Sequence, residues 1–284
     1  MIVDGQALVL GGGGIAGIAW ITGLLTGLAE AGRDVTGADL IVGTSAGSTV
    51  AAQVGSGLAL DQLFRRQTEP ALQSREIMAK LDLEQAAADW AGFMQDVTSA
   101  EHALRLVGAY ALAADTVSEA ERRAVIESRL PSRDWPSRRI QIVAVDAKTG
   151  QTKVFDRDSG VSLVDAVAAS CAVPGVWPPV TIDGHRYVDG GVRSIDNADL
   201  AAGYARIVVV SPMGYDSPMP SPMSLRAVVD QLRGGGSDVT VIWPDQASVA
   251  AIGDNALDPA TRVPAAEAGR AQGRGGLAGL ADGG

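Results

Sequence analysis

Cysteine, histidine and lysine are scarce in this 284-residue chain, and each scarcity closes a route. The single cysteine, Cys171, permits no intrachain disulfide and fits a reducing, cytoplasmic setting. Only Lys80, Lys148 and Lys153 are lysines, and none stands in a Gly-Lys-Ser/Thr, so a Walker phosphate loop is excluded. Only His102 and His185 are available to a histidine-based triad. Positive charge is short as well: 23 Lys+Arg against 33 Asp+Glu leaves −10, no electrostatic footprint for nucleic acid. The first residues, Met1-Ile2-Val3-Asp4, carry no basic run, so no secretory leader is expected. Long apolar runs are also missing. Residues 5–29 and 40–60 are uncharged, but the first holds Gly11–Gly14 and the second Thr44, Ser45, Ser48, Thr49, Gln53 and Ser56. A spanning helix needs about 20 predominantly apolar residues, which neither supplies.

What is present is the composition of a folded enzyme-sized domain, 46% hydrophobic and 20% charged. Residues 6–10 and 40–42 are short apolar runs, each ending in a glycine-rich turn and followed by apolar residues at helical spacing. Continuous apolar strands point to a sheet buried on both faces, hence an α/β fold with mostly parallel pairing and flanking helices. Further strands are predicted at 140–145, 152–155, 180–182, 207–210 and 239–243. Residues 59–130 show almost no strand signal, and their apolar pattern (Leu60, Leu63, Phe64, Met78, Leu81, Leu83, Trp90, Phe93, Met94, Leu104, Leu106) predicts a helical insertion over one end of the sheet. Residues 1–258 read as a single domain. Residues 259–284 read as an Ala/Gly/Arg-rich tail whose last dozen residues are expected to be mobile.

Gly43-x-Ser45-x-Gly47 falls where a strand gives way to a helix, the sharp turn that lifts a nucleophilic serine clear of a sheet. A serine needs a base. His102, on an amphipathic helix, and His185, beside an Asp-Gly hairpin turn, both read as surface residues. Asp189 ends a predicted strand and precedes Gly190-Gly191, which leaves space around its carboxyl; desolvation would raise its pKa toward that of a useful base. The Gly12-Gly13-Gly14 turn offers main-chain N–H groups and a helix N-terminus to an oxyanion. A second reading competes: Gly12-x-Gly14-x-x-Gly17 fits the dinucleotide-binding pattern of a Rossmann protein, although Asp39 precedes the second strand instead of ending it.

Taken in order, Gly12-Gly13-Gly14-Ile15-Ala16-Gly17, Gly43-Thr44-Ser45-Ala46-Gly47 and Asp189-Gly190-Gly191 resemble the patatin-like phospholipase family. Residues 168–175 and Pro178-Pro179, leading into Asp189, look like that family too, so the resemblance spans roughly residues 7–210. It implies a patatin-like α/β fold and a Ser–Asp dyad that hydrolyses lipid acyl esters, with Ser45 as nucleophile, Asp189 as base and Gly12–Gly14 as oxyanion hole. It implies no metal and no organic cofactor. The family usually places Arg or Lys just before the last glycine of its first motif, where this chain has Ala16. That exchange removes positive charge beside an anionic headgroup. It opens neutral esters, lysolipids and acyl thioesters as substrates, or a degenerate member that binds lipid without cleaving it. The local excess of arginine over residues 122–139 suggests transient contact with an anionic membrane surface, or simply a solvated helix end.

Overall fold

The computed structural model describes residues 2–79, 92, 97–217 and 222–275. Its centre is one eight-stranded sheet: β1 (Val3–Leu10), β2 (Leu40–Thr44), β3 (Ile140–Asp146), β4 (Thr152–Phe155), β5 (Val180–Ile182), β6 (His185–Asp189), β7 (Tyr204–Val210) and β8 (Asp238–Ile242). The order is β5-β6-β3-β2-β1-β7-β8, with β4 on β3. From β3 through β8 the neighbours run parallel, while β4, β5 and β6 pair antiparallel. The fold is therefore the mostly parallel α/β sheet expected from the unbroken apolar strands. Alternate residues of those strands feed two cores. Leu8, Leu10 and Ile41 face α1 (Gly14–Glu30) and α2 (Ala46–Gly55), whereas Ala7, Val9, Leu40 and Val42 face α7 (Leu225–Gly234).

The register of β3 decides what meets what. Val143 pairs with Thr44 of β2 and Val154 of β4, and Ala144 pairs with Lys153 of β4 and Asp189 of β6. A strand has two edges. With β4 along one of them, β2 and β6 must share the other end to end. The last residue of β6 therefore takes over on β3 where β2 stops, one residue before Ser45.

Between α2 and β3 the described residues include α3 (Leu60–Thr68), α4 (Ala100–Ala113) and α5 (Glu119–Arg129). Ser99 and Ser118 cap the last two by accepting the N–H groups of His102 and Glu121. Leu81, Leu83, Trp90, Phe93 and Met94, expected to line the insertion, lie outside the described residues. After β4, α6 (Leu163–Ser170) packs beneath β3 and β6, and α8 (Gln246–Ile252) follows β8.

The Ala/Gly/Arg-rich stretch departs from the reading as a tail. Residues 262–275 form a helix, α9 (Arg262–Gly275), seated along α1. Its small residues are the contact surface: a Cβ on Gly269 would lie 2.3 Å from the Trp20 carbonyl, and one on Gly23 would lie 2.0 Å from that of Ala266. Backbone approach replaces side-chain burial there, which is why low apolar content misled. Glu30 bridges Arg270 and Arg274 at the far end. The final residues, 276–284, where mobility was expected, lie outside the described residues. Among the described residues no helix is long and apolar enough to cross a membrane.

Candidate active site

Ser45 sits between β2 and α2 with φ 51° and ψ −114°. A non-glycine residue held there costs on the order of 1–3 kcal/mol and persists only where surroundings over-determine it. Those surroundings are visible. Ser45 N–H donates to Ser170 Oγ at 2.9 Å, and its carbonyl accepts the Ser48 hydroxyl at 2.6 Å and the Cys171 thiol at 3.2 Å. Gly47 allows α2 to leave directly against β1: its N–H donates to the Gly11 carbonyl at 3.0 Å, and a Cβ would fall 1.9 Å from the Leu10 carbonyl oxygen. Gly43, at the other end of the turn, faces Ser48. Gly47→Ala is expected to lose about 3 kcal/mol or more in urea unfolding, because the contact is backbone and cannot swing aside; an unchanged midpoint would remove this account of the turn.

Asp189 arrives from β6, as the register requires. Its N–H donates to the Ala172 carbonyl at 3.0 Å, and its Oδ1 accepts the Gly191 N–H at 2.7 Å. The Ser45 hydroxyl is near enough to the same carboxyl to favour its charged form. Both side chains are nearly closed off, Ser45 at 8% and Asp189 at 5% exposure. Burial lifts the Asp189 carboxyl to about 6, against the opposing pull of the Gly191 N–H, the Ser45 hydroxyl and the charge of Arg122. Asn197 locks the two halves together: its Nδ2 donates to Thr44 Oγ1 at 3.0 Å and to the Gly190 carbonyl at 3.2 Å.

The glycine turn crosses beside Ser45, close enough that a Cβ on Gly12 would lie 3.7 Å from Ser45 Cβ. The three glycines are not equivalent. Gly12 N–H already donates to the Ile195 carbonyl at 2.9 Å, so it is committed to structure and not to an oxyanion. Among the described residues, the N–H groups of Gly13 and Gly14 have no partner, and Gly14 opens α1. Gly14 adopts φ 62°, and a Cβ there would meet the Ala256 carbonyl at 2.6 Å. Gly17, one turn into α1, packs on Ala46.

Other sequence candidates lie elsewhere. His102 Nδ1 pairs with the Thr98 hydroxyl at 3.1 Å and His185 Nδ1 with Asp146 at 2.8 Å, so neither serves Ser45. Asp39 Oδ2 accepts the Gln6 N–H at 2.8 Å, at the start of β2 and the opposite end of the strands from the glycine turn. A ribose-binding acid cannot act from there, which removes the geometric basis of the dinucleotide reading. Among the described residues no cluster of metal-ligating side chains occurs.

The arginine-rich stretch is not the bare cationic surface it resembles in sequence. Arg122 and Arg129 point inward, and Arg123 pairs with Asp165 and Glu127. Arg122 stacks on Trp177, 3.8 Å from the ring centroid. With Arg129 it joins Ile15, Ile18, Val173, Trp177 and Leu257 around a small pocket that opens on Ser45. Sequence reasoning also passed over Ser170, Asn197 and Asp196. The last is a buried carboxyl whose Oδ1 lies against Gly11 without a partner among the described residues, and burial raises it to about 7.

A mostly parallel α/β sheet thus brings a strained serine, a buried carboxyl and a glycine turn to the same end of its strands. Over residues 8–202 the sequence matches the family described as Patatin-like phospholipase, and the chain belongs to that family. Among solved structures it is similar to VipD from Legionella pneumophila (TM-score 0.48, 14% identity, 95% of this chain and 66% of VipD). It is also similar to the type III effector ExoU (TM-score 0.39, 14% identity, 96% of this chain and 52% of that one). A third similarity is to the complex of SpcU with ExoU from Pseudomonas aeruginosa (TM-score 0.36, 16% identity, 94% and 53%). The chain thus spans about two thirds of VipD and half of ExoU.

Proposed function

We propose that this chain is a serine lipid acyl hydrolase in which Ser45 is the nucleophile and Asp189 its only base. The observation that carries the reading is the meeting, across the end of β3, of a serine on a strained turn and a buried carboxyl that burial has moved up to about 6. Ordinary aspartate is too weak a base for an alcohol; a desolvated one beside the hydroxyl takes the proton as the oxygen attacks. The Ser45 oxygen bonds to the acyl carbon, and the carbonyl oxygen becomes an oxyanion held by the N–H groups of Gly13 and Gly14. Collapse of the intermediate breaks the ester, and the proton on Asp189 passes to the departing alkoxide. Water then gives its proton to Asp189 and attacks the acyl-serine; fatty acid leaves and Ser45 regains its proton. The apolar residues around the pocket supply the surface an acyl chain needs.

Asp189 must be ionised to act, so activity rises with pH. With soluble p-nitrophenyl acyl esters, kcat/KM is expected to be half-maximal near pH 6, about two units above a free aspartate, and flat above pH 7. A profile indifferent to pH between 5 and 7 would remove Asp189 as the base. Tight binding of NAD(P) in an equilibrium titration would return the nucleotide reading. Lipid binding without turnover would make the chain a lipid-binding member of the family.

A further inference from the structure

Arg122 is 5% exposed, yet its Nε and Nη1 have no hydrogen-bond partner among the described residues. An unpaired buried donor is costly, and a charged one more so. Its surroundings do not supply the missing anion. Glu76 is taken by both Arg129 and Arg262, each at 2.6 Å, and Asp189 Oδ1 by the Gly191 N–H. Arg129 and Arg262 thus share Glu76, and Arg122, which lines with Arg129 the pocket that opens on Ser45, is left without a partner among the described residues. Ala16, where the family's first motif usually carries its positive charge, is fully buried in the core and contributes none.

We propose that Arg122 anchors an anionic oxygen group, phosphodiester or carboxylate, carried by the same molecule whose ester carbonyl meets Ser45. The inference rests on the hydrolase reading for its chemistry, but the cradle itself is independent of turnover. A guanidinium held over the Trp177 ring, with Nε and Nη1 unpaired among the described residues, offers its N–H groups to such a group. The apolar residues beside it specify that the anion comes attached to an acyl chain and not as a free ion.

The test compares three lauroyl esters below their micelle concentrations at pH 8, where Asp189 is ionised: lysophosphatidylglycerol, acyl-lactate and monoacylglycerol. At least one anionic ester is expected to exceed the neutral one about tenfold or more in kcat/KM, and the better of the two names the group. Arg122→Gln should bring that ratio to near one, and Arg122→Lys should keep part of it. A purely structural role would lower all three rates together and leave the ratio intact. Binding of a non-hydrolysable ether lysophospholipid against the matching alkylglycerol, read from tryptophan fluorescence, decides the matter even if nothing is hydrolysed. A preference that is absent in the native protein, or that survives Arg122→Gln in both measurements, overturns the proposal. Loss of hydrolysis alone, with the binding preference intact, counts only against the dyad.

Discussion

Asp189→Asn is expected to cost at least about a thousandfold in turnover and, at pH 8, to make the protein harder to unfold. The two effects share one cause. A carboxyl whose folded pKa is about 6 and whose ordinary value is 3.8 binds protons more readily in the folded chain. Its charged form therefore opposes folding above pH 6, and that opposition fades as the pH falls from 6 toward 4. Two units at 1.36 kcal/mol each put the relief given by the neutral amide at about 3 kcal/mol at pH 8. The gain should shrink to near zero at pH 4. Asparagine can still accept the Gly191 N–H, so the loop has no reason to move. Denaturant unfolding at the two pH values, beside steady-state kinetics, checks the pair of predictions. A variant that is inactive and also less stable would mean that Asp189 holds the structure together more than it strains it.

Ser45→Ala carries the other large effect: loss of at least about 10⁴-fold in ester hydrolysis and of any covalent intermediate. Stability should change little or rise, because the methyl group fits the same space and the supports of the elbow come from the backbone N–H and carbonyl of residue 45. The positive φ stays, so alanine does not relax the turn. Combined with Asp189→Asn the loss in rate should be no greater than for Ser45→Ala alone, since the two groups act as one unit. Additive losses would indicate that they do not.

Much of this site was legible in the sequence because glycine and apolar periodicity report local backbone demands. Gly43 and Gly47 mark a turn whose α2 presses on β1, and the runs around them mark the strand and helix. What could not be read is long-range. Nothing near residues 140–146 announces that β3 accepts β2 and β6 end to end along one edge, the arrangement that carries Asp189 to Ser45. Arg122 was hidden for a different reason. Among neighbours that do face outward, a helix arginine looks solvated, and its inward turn depends on Trp177, 55 positions away (177 − 122). Gly12 was grouped with Gly13 and Gly14 because identical residues look alike in sequence, and only the Ile195 carbonyl separates them. The C-terminal helix was missed because its contacts are made by backbone, which composition does not weigh.

The most direct measurement is covalent labelling by a fluorophosphonate, with the modified peptide identified by mass spectrometry across a pH series. The label is expected on Ser45 alone, at a rate that climbs through an apparent pKa of about 6 and collapses in Asp189→Asn. A label on another residue, or a rate on Ser45 that ignores both pH and Asp189, would contradict the pairing of that hydroxyl with that acid.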